Sequence, residues 1–430
     1  MKVLIIGSGG REHALSWKCI QSSMVSKVYV APGNAGTQIE DNIQNVAIDP
    51  ENFAELSNFA RDNEIELTIV GPEQPLVDGI CDYFESKHLK IFGPTKGAAQ
   101  LEGSKSFTKD FLKRHKIPTA EYETFTELTS AIEYLKNSKF PTVIKADGLA
   151  AGKGVIIAET LPEAERTVTD MLSGNEFGSA GKRVVIEEFL EGEEVSFILI
   201  ANGESFLPMA TSQDHKRAFN ADKGPNTGGM GAYSPAPVVT EHVYQRIISE
   251  VIKPTLKGMK DEGNYYTGFL YAGLMITADG TPKVIEYNCR FGDPETQPVL
   301  LRLKSDLVSH CMAALNNSLN REKVEWETRK SLGVVMASGG YPGNYSNNHP
   351  ILGLEDTSSG YGHKVFHGGT KFADNRLVTN GGRVLCVTAL GDSLEDAKTS
   401  AYELVSKISW ENVQYRTDIG WRAIEKNRKN

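Results

Sequence analysis

The sequence predicts a multidomain protein of α/β and α+β type: a doubly wound parallel sheet, two central α+β lobes and a C-terminal β-rich domain. At 430 residues and 47.1 kDa, the chain is too long for one core. Short apolar runs alternate with helical patterns over the first hundred residues, as in parallel α/β units. Strand patterns dominate later. We expect boundaries that give domains 1–103, 104–192, 193–327 and 328–430.

The composition excludes several classes of protein. The chain is 40% hydrophobic and 23% charged, and it has no apolar run near the ~20 residues that a bilayer span needs. A net charge of −9 argues against general binding to nucleic acid or to anionic membranes. Five cysteines without a C-x-x-C pair indicate reduced thiols. Met1–Ile6 reads as a strand and not as a signal peptide, so we expect a cytoplasmic protein.

The N-terminal unit has clear strand patterns, and a helix is predicted over 101–115, ending before Pro118. Glu73 follows one of the strands, at the sheet edge where ligands bind in such folds. Turn chemistry is the alternative role for this glutamate. The predicted strands are Val3–Ile6, Lys27–Val30, Leu67–Val70 and Ile91–Phe92.

The first glycine-rich loop, 7–13, links a strand to a helix, where backbone N–H groups attract anions. It is a poor NAD fingerprint, because Glu12 occupies the third glycine position and the second strand ends without an acidic residue. We predict that Gly9 and Gly10 bind the phosphate of a smaller ligand. Arg11 and Glu12 would then contact polar groups of its sugar.

A second glycine-rich loop, 145–155, joins two strands and can fold over a triphosphate. It is not a Walker A loop, because Lys153 is followed by Gly154 instead of Ser or Thr, and because a strand and not a helix comes next. Lys145 would reach the α- and β-phosphates from the strand, and Lys153 would approach with the loop. An ordinary hairpin with solvated lysines is the alternative.

Next comes an apolar strand, 184–190, that leads into an acidic segment. Its main chain could bind adenine. Glu193 or Glu194 could accept hydrogen bonds from ribose hydroxyls, because phosphates would repel carboxylates. A solvated turn is the alternative for either glutamate.

A further candidate is 214–217, followed by the glycine-rich segment 224–233, which we interpret as a loop that grips a substrate. Within it, His215 could act as a general base or as a structural hydrogen-bonding group.

The most informative segment is 286–295. Side chains alternate along a strand, so Glu286, Asn288 and Arg290 should share one face. A carboxylate and an amide oxygen suit Mg²⁺ that arrives with ATP, and the arginine offers a planar fork for a carboxylate or phosphate. A polar surface strand is the alternative.

These features together resemble the ATP-grasp superfamily, in which two α+β lobes hold ATP, so the central part is expected to be a two-lobed ATP-grasp unit. Over essentially the whole chain, the motifs resemble those of the phosphoribosylamine–glycine ligase (glycinamide ribonucleotide synthetase) family. The motifs that carry the resemblance are 9–14, 148–154, 224–231 and 290–297.

The resemblance implies ATP-dependent ligation of glycine to 5-phosphoribosylamine, in de novo purine biosynthesis. The products would be glycinamide ribonucleotide, ADP and phosphate, with glycyl phosphate as the intermediate. It implies ATP and Mg²⁺ (or Mn²⁺) as cofactors and only small-molecule substrates, without nucleic acid or membrane. We expect a monomer that makes transient contact with the enzyme producing phosphoribosylamine.

The resemblance also implies roles for individual residues. Many relatives carry another metal-binding carboxylate on the preceding strand, but 271–276 has none. A second metal site would therefore need Asp293, Glu295, phosphate or water. The implied catalytic residues are Arg290, Lys153 and Asp293; the metal ligands are Glu286 and Asn288; the ATP-binding residues are Lys105, Lys145, Lys153, Glu187, Glu188, Leu190, Glu193 and Glu194; and the substrate-binding residues are Gly9, Gly10, Arg11, Glu12, Glu73, Asp214, His215, Arg290 and Gly292.

Three other functions remain to be compared. Another ATP-grasp carboxylate–amine ligase should share the ATP lobes but lack the pairing of motifs 9–12 and 290–296. A regulatory protein that binds a nucleotide without turnover should lack the metal-binding residues of 286–295 or the glycine-rich loop 145–155. Both motifs are intact in this sequence. A dinucleotide oxidoreductase is disfavoured by Glu12.

Overall fold

The structure, a computed structural model, describes residues 1–149, 154–173, 181–357, 360 and 362–429. Its N-terminal sheet is parallel, with strand order β3-β2-β1-β4-β5, which confirms the predicted doubly wound unit. Leu4 and Ile6 lie in one apolar core and Val3 and Ile5 in another, so helices cover both faces. The elements are β1 (Lys2–Gly7), α1 (Gly10–Cys19), β2 (Lys27–Pro32), α2 (Ala35–Ile39), β3 (Ile43–Asn45), α3 (Phe53–Asp62), β4 (Leu67–Val70), α4 (Glu73–Asp78), α5 (Ile80–Ser86) and β5 (Ile91–Phe92).

The prediction of one continuous helix over 101–115 is wrong. The chain forms α6 (Gln100–Gly103) and α7 (Lys105–Arg114), separated at Ser104. Ser104 has an extended backbone, and its hydroxyl accepts the N–H of Phe107, which makes it the N-cap of α7. The same hydroxyl donates to Asp147, 3.1 Å away, so the break ties α7 to the next lobe.

The smaller central lobe is an antiparallel sheet with strand order β6-β9-β7-β8, packed against two helices. The strands predicted on either side of the 145–155 loop and from residue 184 onwards are present as β7, β8 and β9. Residues 150–153, which include Lys153, lie outside the described residues. The elements are β6 (Tyr122–Phe125), α8 (Leu128–Lys136), β7 (Thr142–Ala146), β8 (Val155–Ala158), α9 (Leu161–Leu172) and β9 (Val184–Glu188).

The larger central lobe has the antiparallel strand order β11-β10-β16-β17. On β16, Gly273 pairs with Glu286 of β17 and Leu274 pairs with Val284, so Ile285 is the extra residue of a β-bulge in β17. The elements are β10 (Glu193–Asn202), β11 (Ser205–Pro208), β12 (Gln213–Asp214), β13 (Arg217–Phe219), β14 (Lys223–Asn226), β15 (Gly231–Ser234), α10 (Glu241–Arg246), α11 (Lys253–Asp261), β16 (Thr267–Ile276), β17 (Pro282–Asn288), α12 (Thr296–Arg302) and α13 (Leu307–Leu315).

The C-terminal sheet is antiparallel, with order β12-β15-β18-β22-β19, in line with the predicted β-rich domain. Two of its strands, β12 and β15, come from the segment 213–234. The loop predicted over 224–233 therefore contains strand residues, because β15 pairs with β18. The remaining elements are β18 (Lys330–Ala337), β19 (His363–His367), β20 (Thr370–Ala373), β21 (Arg376–Thr379), β22 (Arg383–Gly391), α14 (Leu394–Val405) and α15 (Trp421–Lys429).

All five cysteines are buried and unpaired, as expected for reduced thiols. Within the described ranges, no helix combines the length and the apolar character needed to cross a membrane.

Candidate active site

Two of the predicted lysines, Lys105 and Lys145, lie close to the predicted metal strand where the two central lobes meet. Lys145, on β7, donates to the carbonyl of Ile285 on β17 at 3.1 Å. Lys105, the first residue of α7, donates to the carbonyl of Gly148 at 3.0 Å. Burial alone would raise the pKa of Glu286, but the positive charges around it hold that pKa below its usual range. These charges are Lys216, Lys145, Lys105 and Arg290.

A buried ion-pair network lies beneath Lys145. The carboxylate of Glu187 contacts the ammonium of Lys145 at 2.9 Å and that of Lys109 at 2.8 Å. These three side chains are at most 6% exposed. Glu187, predicted to bind ATP, is thus occupied by two lysines in this structure.

The strand β17 presents the predicted metal ligands on one side. Tyr287 and Cys289 are buried, whereas Glu286, Asn288 and Arg290 are more exposed, as a period of two requires. Gly273 lies opposite Glu286 and Tyr271 opposite Asn288, so β16 adds no carboxylate. Two protein oxygens suit Mg²⁺, which takes its other ligands from water and phosphate.

One ammonium already lies beside Glu286, so a bound cation would share that carboxylate with it. The ammonium of Lys216 lies 3.4 Å from Glu286 and contacts Glu194. Burial raises the pKa of Asp214 well above its usual range, and neighbouring carboxylates raise it further. Among the described residues, no group of three His, Cys, Asp or Glu side chains is arranged to hold a metal, so Glu286 and Asn288 would need ligands from the substrate.

Arg290 is engaged by two carboxylates. It contacts Glu73 at 3.2 Å and Glu102 at 3.0 Å, and its side chain is 15% exposed. Glu102 also accepts the N–H of Cys289 at 2.6 Å. Burial raises the pKa of Glu102 to about 7, and Arg290 only partly opposes that shift. A ligand carboxylate at Arg290 would therefore compete with one of these two partners.

The first glycine-rich loop is held by its own glutamate. Glu12, 2% exposed, accepts the N–H of Gly9 at 2.5 Å and contacts Arg11 at 2.6 Å. A Cβ atom added at Gly71, which follows β4, would collide with the carboxylate of Glu12. The Glu12 side chain therefore packs against the end of β4. The Gly9 N–H that we expected to face a phosphate is therefore already occupied in this structure.

Asp293 lies where three distant segments meet. Arg383 contacts its carboxylate at 3.0 Å and donates to the carbonyl of Gly228 at 2.6 Å. A Cβ atom added at Gly9 would lie 3.8 Å from Oδ2 of Asp293, and one added at Gly10 would lie 3.9 Å from Oδ1. Burial would raise the pKa of Asp293, but Arg383 and other cations lower it, so the group is a carboxylate. Gly292 begins the turn, and its carbonyl accepts the N–H of Thr296.

His215 is held by structural partners. Its Nε2 accepts the N–H of Gly420 at 2.9 Å, and its Nδ1 lies 3.7 Å from Asp222. Burial lowers the pKa of His215, although Asp222 opposes this effect. Of the two possible roles, the contacts fit the structural one. Asp214, on β12, is the neighbour that lies near Lys216, Glu295 and Glu194.

Comparisons with known proteins cover nearly the whole chain. Three domains described for phosphoribosylglycinamide synthetase match: the N domain at 1–102, the ATP-grasp (A) domain at 103–296 and the C domain at 331–422. The chain belongs to the phosphoribosylglycinamide synthetase family.

Relatives named phosphoribosylamine–glycine ligase support the same assignment. The protein from Escherichia coli (strain K12) is 63% identical over 429 residues, 99% of each chain. That from Pseudomonas syringae pv. tomato is 63% identical over 428 residues, covering 100% of this chain and 99% of its own.

Solved structures show the same architecture. The phosphoribosylamine–glycine ligase of Thermotoga maritima has a TM-score of 0.84 at 34% identity, covering 97% of this chain and all of its own. The biotin carboxylase domain of a Hydrogenobacter thermophilus 2-oxoglutarate carboxylase, solved with MgADP, ADP and bicarbonate, has a TM-score of 0.73. At 15% identity, with coverage of 96% of this chain and 91% of its own, it shares the fold alone.

The segment expected to bind adenine in this member of the synthetase family joins β9 to β10. Glu188 contacts Lys283 of β17 at 3.0 Å, and Leu190 is half-buried between the two strands. Glu193 and Glu194 begin β10, so they belong to a strand and not to the turn that we considered.

Several charged residues near the family's cleft were not assigned from the sequence. Lys109 lies four residues after Lys105 on one helix, a spacing that could have indicated a shared face. Lys216 stands inside a motif that we singled out. No local signal points to Glu102 or Arg383, whose partners are distant in sequence, or to the contact of Arg416 with the distant Asp222.

Proposed function

We propose that this chain joins glycine to 5-phosphoribosylamine with ATP, in de novo purine biosynthesis, giving glycinamide ribonucleotide, ADP and phosphate. The observation that carries the proposal is the approach of Lys145 to the bulge at Ile285, beside Glu286. It brings together the groups that we predict to bind phosphate and metal. Relatives named phosphoribosylamine–glycine ligase support the choice of an ATP-dependent carbon–nitrogen ligase.

The chemistry needs no nucleophile from the protein. An oxygen of the glycine carboxylate attacks the γ-phosphorus of ATP, and the bond to ADP breaks. The amine of phosphoribosylamine then attacks the carbonyl carbon of glycyl phosphate, phosphate leaves with the C–O electron pair, and the new amide nitrogen loses a proton. The protein orients the reactants and offsets their charge.

Lys105 and Lys145 are suited to hold the phosphates, because their ammonium groups lie at the Gly148 and Ile285 carbonyls and both positive charges act on Glu286. The same role is proposed for Lys153. The backbone of 188–190 would bind adenine, with Glu193 and Glu194 near the ribose. ATP-grasp domains and a neighbour solved with MgADP support ATP and a divalent ion as cofactors.

Glu286 and Asn288 would hold that ion, Mg²⁺ or Mn²⁺, through one carboxylate and one amide oxygen. When bound, it neutralises phosphate charge and orients the transferred group. We favour a single protein-held site, because β16 offers no acidic residue opposite these two.

The substrates would lie between the metal strand and the first domain. Arg290 would bind the glycine carboxylate or the acyl phosphate by leaving Glu73, which is 30% exposed, and keeping the 6% exposed Glu102. The Asp293 carboxylate is suited to accept a hydrogen bond from an amino group. Gly9, Gly10, Arg11 and Glu12 would bind the ribose phosphate once Glu12 releases the Gly9 N–H, and Gly292 and Asp214 would border the site.

The deciding experiment is ADP release with glycine, ribose 5-phosphate and ammonia as the source of phosphoribosylamine, each omitted in turn. We expect release only when all are present, together with a product that contains labelled glycine. Release with other carboxylates, or without the sugar phosphate, would favour the alternative of another ATP-grasp ligase.

We also propose that the protein is a monomer in the cytoplasm and that it makes transient contact with the enzyme that produces the unstable amine. Sedimentation of the purified protein would test the first part.

A further inference from the structure

Lys109 is held in the interior of the small lobe. Its ammonium contacts the carboxylate of Glu187 at 2.8 Å and donates to the hydroxyl of Thr119 at 2.7 Å, and its side chain is 3% exposed. Its ammonium also lies 5.8 Å from the ring centroid of Tyr122. Buried and bonded in this way, Lys109 does not extend into the cleft.

The charges of the network suggest what Lys109 does. Glu187 carries one negative charge, and Lys109 and Lys145 carry two positive charges within ion-pair distance of it. The three together have a net charge of +1. Without Lys109, the carboxylate would pair with Lys145 alone and the net charge would be zero. Lys145 would then be held more strongly by Glu187 and would attract an anion less.

We propose that Lys109 is a positioning residue that keeps the Lys145 ammonium available to ATP by sharing the Glu187 carboxylate. This inference rests on the proposed function, because Lys145 is assigned to the nucleotide there. Lys109 is not proposed as a catalytic residue, because its buried ammonium is bonded to Glu187 and Thr119 and does not extend into the cleft.

The pH dependence of nucleotide binding provides a second test of the role of Lys109. Burial lowers the pKa of Lys109 to about 8, although Glu187 opposes the shift. The other groups that face it are Lys145 from β7, which lowers the pKa, Glu188 from β9, which raises it, and the neutral Thr119 and Tyr122. As pH rises above about 8, Lys109 loses its proton and the network loses its net positive charge.

The first test compares Lys109→Met with Lys113→Met. Lys113 lies one turn later on α7, is exposed, and has its ammonium 5.9 Å from the same tyrosine ring, so it is a matched control. Binding of a non-hydrolysable ATP analogue with Mg²⁺ would be measured by calorimetry at pH 7. We expect Lys109→Met to bind about tenfold more weakly, or about 1.4 kcal/mol, and Lys113→Met to bind like the unaltered protein. Equal affinity in the two variants would overturn the proposal.

A second variant covers the case in which Lys109→Met does not fold. Lys109→Arg keeps the charge at every accessible pH. Between pH 7 and 9 the affinity of the unaltered protein should fall, whereas that of Lys109→Arg should stay level. Parallel pH profiles would contradict the proposed role.

Steady-state rates separate positioning from loss of structure. In Lys109→Met we expect the KM for ATP to rise about tenfold while kcat changes less than threefold. A fall in kcat with KM unchanged would refute the assignment. The affinity measurements need neither glycine nor the amine, so they stand even if the chain ligates a different carboxylate.

Discussion

Replacing Arg416 with methionine should loosen the connection between the C-terminal end of the chain and the segment that carries Asp214. Arg416 is fully buried and binds Asp222 at 2.8 Å and Asp418 at 2.8 Å. It also donates to the carbonyl of Arg217 at 3.1 Å. One side chain thus ties 217–222 to 416–418.

The expected cost follows from burial. Removing one partner of a buried ion pair costs about 3–5 kcal/mol. Asp222 and Asp418 are each 20% exposed, and Asp222 keeps its contact with Arg422 at 2.6 Å, so we expect about 2–4 kcal/mol. Arg422 is 43% exposed, and removing such a surface pair should cost at most about 1 kcal/mol.

Hydrogen exchange measures this difference locally. The N–H groups of Thr417, Ala221 and Gly420 bond across the junction, at 2.9, 2.8 and 2.9 Å. Their exchange should accelerate about 30- to 700-fold in Arg416→Met and less than about fivefold in Arg422→Met. Similar protection in both variants would refute the argument from burial, as would acceleration confined to other parts of the chain.

Three further predictions test other parts of the structure. Glu286→Gln should lower ADP release at least about 100-fold with little change in the unfolding midpoint, whereas the exposed variant Glu204→Gln should leave both unchanged. Burial tends to raise the pKa of Glu40, but bonds to His13 and Lys364 lower it to about 2. Its stabilisation is therefore present above about pH 4.5 and is lost towards pH 2, and Glu40→Gln should flatten that part of the stability curve. Burial raises the pKa of thiols such as Cys19 to about 12, so a thiol reagent at pH 8 should label the cysteines only after denaturant is added; rapid labelling of the native protein would contradict this.

The features that the sequence predicted well are those with local signals. Apolar runs predicted the parallel strands, because both faces of that sheet are buried. Alternation along β17 and the two residues after it predicted that Tyr287 and Cys289 are buried while Glu286, Asn288 and Arg290 are more exposed. The break at Ser104 was missed although it is local, because the apolar pattern of 101–112 continues through the cap.

The features that the sequence did not predict depend on contacts between distant segments. The partners of Arg290 lie 217 and 188 positions away, so no spacing rule could have paired them. Arg383 reaches Asp293 from another domain. The partners of His215, in 222 and 420, favour one of two roles that the residue type left open. The site assignments themselves stay predictions until variants are measured.

The course of β12 and β15 limits how this protein could be divided or recombined. Both strands hydrogen-bond within the C-terminal sheet, and between them the chain brings Lys216 to Glu286. An ATP-binding core cut before β18 would leave β15 with an unpaired edge and Arg416 absent. Chimeras between family members should therefore exchange 213–234 together with the last hundred residues. If only one of these segments is exchanged, β15 and β18 come from different proteins and their strand pairing is no longer matched.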